Sequence, residues 1–290
     1  VDAGGGNDLI EGGSGNDTLD GGDGDDTIEG GSGVDVMNGG NGDDTFLIDF
    51  GWTGGPGESI DGGAGSDTFD TSLVGTINAN INLSAGTFTY GGSGTISLSS
   101  IENVITGNGN DSITGNGSAN DIRTGDGNDT IVGGGGADTI FGGNGNDTIE
   151  GGFVSDSINA GAGDDLIRVL AGEFYDSVDG GAGNDTLDHS ASTYTGTTFD
   201  FLAGEITGFG LNNPSATLIN VENYLDGSGG NTIISDGSGV FEGLGGNDTI
   251  AAGNGVNETL DGGAGTDLLD TTHYNFFYQI NLATGVTNFA

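Results

Sequence analysis

Single large apolar residues recur at nine-residue intervals along much of this chain: Leu19, Ile28 and Met37 early on, Ile131, Ile140 and Ile149 further along. Each stands between smaller or polar residues, and a glycine-rich stretch separates it from the next. Residues 12–47 show the pattern most cleanly, as four consecutive units GGSGNDTLD, GGDGDDTIE, GGSGVDVMN and GGNGDDTFL. The unit is Gly, Gly, any, Gly, any, Asp, any, large apolar, any, with positions numbered one to nine. Positions one to six predict a turn, because glycine reaches φ > 0 and lets carbonyls approach a ligand where a Cβ would clash. Positions seven to nine, as in Thr18-Leu19-Asp20, place one β-favouring side chain between two polar ones and predict a short strand that buries it. Two units close one coil with a strand on each of two facing sheets, so the structural period is eighteen residues. The predicted fold is all-β: right-handed parallel β-roll arrays, almost without helix, joined through insert modules into one elongated rod. Successive strands should alternate between the sheets, with the position-eight side chains inward.

The first array covers 3–47, with Asp8, Asp17, Asp26, Asp35 and Asp44 at position six. Residues 48–52 prolong its last strand ahead of a Gly/Pro turn at 54–57. A degenerate unit follows at 58–61, and a clean one at 62–70 carries Asp67. The second array, 106–168, carries Asp111, Asn120, Asp129, Asp138, Asp147, Asp156 and Asp165; after a two-residue insertion come Asp176 and Asp185. The third keeps Asn231, Asp248 and Asp267, with a register slip around 240–257.

A longer repeat overlies the first. After Asp67, Asp185 and Asp267 come TFD, TLD and LLD, then the related strings INLSAG from Ile81, FDFLAG from Phe199 and INLATG from Ile280. Ile101-Glu102-Asn103-Val104 and Val221-Glu222-Asn223-Tyr224 then lead back into glycine repeats. Alternating apolar positions and a glycine turn predict β-hairpins or widened coils. They would serve as a hydrophobic plug that covers and staples the roll, or as a binding surface for glycan or a like subunit. The resulting segments are 1–61 (first array and extension), 62–105 (unit plus β-rich insert), 106–179 (second array), 180–225 (unit plus second insert), 226–261 (degenerate third array) and 262–290 (unit plus truncated third insert). The chain opens and closes inside repeats, as expected of a piece of a longer protein.

Charge changes the picture. With 44 acidic residues against two arginines the formal charge is −42, and hydrophobic residues make up only 32%. Such a polyanion is a poor partner for nucleic acid or anionic membrane surfaces, no apolar run is long enough to span a membrane, and so little apolar matter is typical of chains that do not fold unaided. Residues eighteen apart lie about 4.8 Å from one another along a sheet, which stacks Asp8 near Asp26, Asp17 near Asp35 and Asp26 near Asp44. Two carboxylates at that distance repel by roughly 3 kcal/mol at an effective dielectric near 20, so a cation must sit between the turns. Aspartate and glycine carbonyls form an all-oxygen, adaptable set that suits calcium better than magnesium and offers nothing to soft metals. Cysteine is absent and the only histidines are His189 and His273, which argues against zinc. Asn120 and Asn231 keep an oxygen without the charge, and Val154 replaces the position-four glycine before Asp156, so affinity should fall there.

The tandem, in-register array resembles the RTX, or haemolysin-type, calcium-binding repeats of bacterial secreted proteins. That resemblance implies multiple Ca2+ ions between adjacent turns, held by turn carbonyls and the position-six aspartates from Asp8 to Asp267 named above, together with Asn120. It also implies an extracellular or cell-surface location reached by type I secretion. A catalytic reading is weak. Ser190 and Ser192 near His189 lack a framework for a triad, carboxylate pairs occur everywhere and so specify nothing, and no helix or lysine follows the glycine loops as phosphate binding requires. Two functions remain: a structural or adhesive segment of a larger exported protein, folding on calcium, or the export and folding module of a secreted protease, lipase or epimerase whose catalytic domain lies elsewhere. The repeated inserts favour the first.

Overall fold

The structure is a computed structural model that describes residues 1–48, 57–90, 94–170, 176–208, 216–253, 257–270 and 288–289. The prolonged strand at 49–52, the turn at 54–56, the INLATG string and His273 lie outside the described residues. The chain forms two compact units, Val1–Asp147 and Thr148–Ala290. Their boundary falls within the stretch the repeat pattern reads as the second array.

In the first unit, strands Asp2–Gly5, Thr18–Asp23, Val36–Asn41 and Ser59–Ala64 stack in parallel in one sheet. Leu9–Glu11, Thr27–Glu29, Thr45–Leu47 and Thr68–Asp70 stack in parallel in the other. Consecutive strands therefore alternate sheets, as a nine-residue turn-plus-strand unit requires, and the molecule is a parallel β-roll. Leu19 pairs with Met37 and Ile28 with Phe46, so each position-eight side chain rests on its counterpart one coil away. Leu19, Ile28, Met37, Ile131, Ile140 and Ile149 are each no more than 1% exposed. The second unit repeats the arrangement, with Thr148–Phe153, Leu166–Arg168 and Thr186–Asp188 in one sheet and Ser157–Ala162 and Ser177–Ala182 in the other. Among the described residues the only helical element is a 3₁₀ turn at Ser72–Val74, and no helix is long and apolar enough to cross a membrane.

The first two inserts, which the structure describes, are neither plugs nor covers. The first contributes Ala79–Asn82, Thr87–Tyr90 and Ile96–Ser99 as an antiparallel meander spliced into an otherwise parallel sheet: Ile96–Ser99 pairs in parallel with Ser59–Ala64, and Ala79–Asn82 with Ser112–Thr114. The second does the same with Thr197–Asp200, Glu205–Gly208 and Ala216–Ile219, between Thr232–Ile234 and Ser177–Ala182. Their period-two alternation puts Ile81, Phe88, Ile96, Phe199, Ile206 and Leu218 into the same interior as the array residues. The shared string after each first strand is a turn device: Asn82 and Asp200 accept the N–H of Ala85 and Ala203 at 2.7 and 2.8 Å, as short polar side chains do in tight turns. In the second insert Phe199 and Phe201 pack on Tyr224, with ring centroids 4.6 and 5.4 Å apart.

Candidate metal centre

Each position-six residue ends a turn and aims its side chain inward at the edge of the roll. Within an unbroken run of coils, Oδ1 accepts the backbone N–H of the position-six residue one coil earlier, and at the two rungs that follow an insert strand Asp111 accepts instead from Ala79 and Asn231 from Thr197. Asp8 N–H donates to Asp26, Asp17 to Asp35, Asp26 to Asp44, Asp111 to Asp129 and Asp129 to Asp147, at 2.7 to 2.8 Å. The same bond joins Asp156 to Asp176 and Asp165 to Asp185 across 20 residues, Asn231 to Asp248 across 17 and Asp248 to Asp267 across 19. The columns thus absorb both the two-residue insertion and the register slip. Amide donors, not only opposed charges, hold the carboxylates in line.

The second oxygen has no such partner. Oδ2 of Asp8, Asp17, Asp26, Asp35, Asp44, Asp67, Asp185, Asp248 and Asp267 is buried and receives no hydrogen bond. Asp138, Asp147, Asp156, Asp165 and Asp176 are buried at the same place in their turns. A buried carboxylate oxygen left unmatched costs about 1 to 3 kcal/mol or more, and its recurrence from rung to rung gives the columns the character of cation ligands. Position-one glycines supply the rest of the cradle. A Cβ on Gly243 would lie 2.7 Å from both Asp248 Oδ2 and the Gly262 carbonyl oxygen. A Cβ on Gly39 would collide with Asp44 Oδ2 and the Gly62 carbonyl oxygen. Glycine therefore leaves a carboxylate oxygen and a carbonyl of the next coil converging on one open gap. Among the described residues no three His, Cys, Asp or Glu side chains gather, and what converges at each cradle is a carboxylate oxygen with a main-chain carbonyl. That hard-oxygen set fits calcium.

Not every rung is open. Thr124 occupies position one ahead of Asp129, and its hydroxyl donates to the Gly142 carbonyl at 2.5 Å. Thr106 takes the same place ahead of Asp111 and is buried. Asn120 donates its amide to the Glu102 carbonyl at 2.7 Å. Ahead of Asn231 stands Asp226, which accepts from Asn231 Nδ2, Gly227 N–H and the Tyr224 hydroxyl at 2.7 to 3.0 Å. In the two asparagine rungs, protein groups make the bonds an ion would make elsewhere, which gives a physical reason for the weaker affinity expected of them. Val154 adopts φ 83°, a conformation that strains a β-branched residue by about 1 to 3 kcal/mol, in the turn that presents Asp156.

Two features escaped the pattern. Position five was read as variable, yet its Asn or Asp oxygen accepts the position-five N–H of the next coil, as in Asn16 to Val34, Asp25 to Asp43 and Asn128 to Asn146, at 2.9 to 3.1 Å. Its enrichment in Asn and Asp was the available signal. Glutamates also take position six: Glu58 and Glu258 are buried there, two residues ahead of Ile60 and Leu260. His189 is a core residue, 5.0 Å from the Phe199 ring, and burial lowers its pKa to about 4.

Burial raises Asp67, Asp129, Asp138 and Asp185 to about 6 and Asp248 to about 7, against the amide bonds that lower them. A carboxyl whose folded pKa exceeds its unfolded one favours folding below the unfolded pKa and loses that contribution as pH rises through the folded pKa. In chelator, β-structure should therefore increase on acidification from about pH 7.5 to 4.5. Far-ultraviolet circular dichroism that stays flat or loses β-signal over this range would contradict the assignment.

A roll with oxygen-lined cradles repeated along its edges defines a calcium-binding solenoid. The family model of the RTX calcium-binding nonapeptide repeat (4 copies) matches residues 2–37, 11–46, 57–73, 99–131, 123–158, 141–173, 168–191 and 233–269. These spans cover well over half of the chain, and the chain belongs to that family. No curated protein matches it.

Proposed function

We propose that this chain is a calcium-binding, extracellular structural or adhesive segment of a larger exported bacterial protein, and that its rolls become ordered and stiff when calcium binds. The position-six aspartates are its metal ligands, with ions at the glycine-headed rungs and weaker or no binding where Thr106, Thr124 or Asp226 fills the cradle. The observation that carries this reading is the buried, hydrogen-bond-free Oδ2 repeated along the columns. The inserts support a structural role over an enzyme's export module, because they extend the sheets themselves. They also leave Leu202 and Ile219 exposed on an outer face that a glycan or like subunit could use. Bound calcium supplies positive charge to the orphaned oxygens. The chain's own work is to align them through the amide ladder and keep the cradle free of Cβ atoms. Following β-structure against free calcium tests the proposal: a midpoint of about 10⁻⁴ to 10⁻³ M, typical of extracellular modules, supports it, and full structure at micromolar calcium contradicts it.

A further inference from the structure

Among the described residues, two seams of one kind interrupt the turn-upon-turn stacking on which the array sites depend. They lie where the last array unit before an insert meets the strand that leaves the insert. At the first, Asp67 faces Ser100-Ile101-Glu102; at the second, Asp185 faces Asn220-Val221-Glu222. Neither link is a nonapeptide turn. Gly39 and Asp44 are five residues apart, whereas Ser100 and Glu102 are two apart. The short links nevertheless reproduce the cradle. Asp67 N–H donates to Glu102 Oε2 at 3.0 Å, and Asp185 N–H to Glu222 Oε2 at 2.8 Å, where an array aspartate would accept. A Cβ on Gly62 would collide with the Ser100 carbonyl and lie 2.5 Å from Asp67 Oδ2; one on Gly180 would collide with the Asn220 carbonyl and lie 2.7 Å from Asp185 Oδ2. Asp67 and Asp185 are fully buried, with Oδ2 lacking any hydrogen bond. Ser100 and Asn220 hold φ of 51° and 52°, the left-handed bend that turns their carbonyls toward the gap. The extra methylene of glutamate spans the distance left by the missing glycine turn.

We propose that each seam is a calcium site of its own, built from the array's Asp67 or Asp185, the Ser100 or Asn220 carbonyl, and Glu102 or Glu222. The ion there ties the insert's outgoing strand to the array and closes the array's open face. This rests on the array reading above and adds two glutamates that the aspartate pattern does not contain. The test uses the full chain, equilibrium dialysis against millimolar calcium, and metal counting by mass spectrometry, on wild type, Glu102→Gln, Glu222→Gln and the double variant. Glutamine keeps an acceptor for the Asp67 or Asp185 amide and removes the charge, so a merely structural glutamate would leave the count unchanged. Each single variant should bind one ion fewer and the double variant two fewer, with β-structure in calcium retained. An unchanged count in variants that fold overturns the seam sites alone, whereas a wild type that binds no calcium overturns the array reading as well. If the double variant fails to fold, the single variants, each with the other seam intact, decide the outcome.

Discussion

In chelator at neutral pH the chain should lack β-structure, and millimolar calcium should restore it in a cooperative transition. Ordering costs about 1 to 2 kcal/mol of backbone entropy per residue, while each coil offers only its two position-eight side chains, such as Leu19 and Ile28, as large apolar burial. The columns add unmatched carboxylate oxygens to that deficit. An ion that binds only the folded cradle contributes its binding free energy directly to folding. Since the coils depend on one another through position-six and position-five bonds in opposite directions, the response should be cooperative within an array. Circular dichroism during a calcium titration reads this, and a β-signal in chelator equal to that in calcium would mean that ions merely decorate a preformed fold.

Gly39→Ala should shift the calcium midpoint upward by tenfold or more. The new Cβ has nowhere to go: it meets Asp44 Oδ2 and the Gly62 carbonyl, the two oxygens meant to face the ion, and one of them is backbone. The loss is therefore of a site, not of flexibility. Gly57→Ala is a control for space at the cradle, since its Cβ would meet only the end of Val34, at 3.5 Å; its φ of 107° still carries the usual strain of a non-glycine residue. Comparing the two midpoints separates occlusion of the cradle from backbone strain. Equal shifts would remove position one from the account of binding.

Much of this was legible in the sequence because the period that sets the sheet also sets the site. A spacing of nine fixes both the inward row at Leu19, Ile28 and Met37 and the columns beginning at Asp8 and Asp17. What stayed hidden depends on side-chain direction or on strand order. Nothing in the string reveals that Asp26 spends one oxygen on an amide and leaves the other bare, or that Thr124 reaches the Gly142 carbonyl. The inserts looked like covers because their alternation shows a buried face without showing which strand lies alongside. Ala79–Asn82 finds its parallel neighbour at Ser112–Thr114, and that choice is tertiary. Glu102 and Glu222 were passed over because they sit two residues ahead of Val104 and Tyr224 without the glycines that mark a unit.

The account's central claim is that the bare Oδ2 atoms are calcium ligands, and a crystal structure grown in millimolar calcium, with ions located by anomalous scattering, tests it most directly. The account predicts about ten or more ions, lying in the gaps between a position-six Oδ2 and the next coil's position-one carbonyl, and absent from the Asp226–Asn231 knot. Two or three ions, or ions bound to the exposed carboxylates instead of the buried columns, would contradict it.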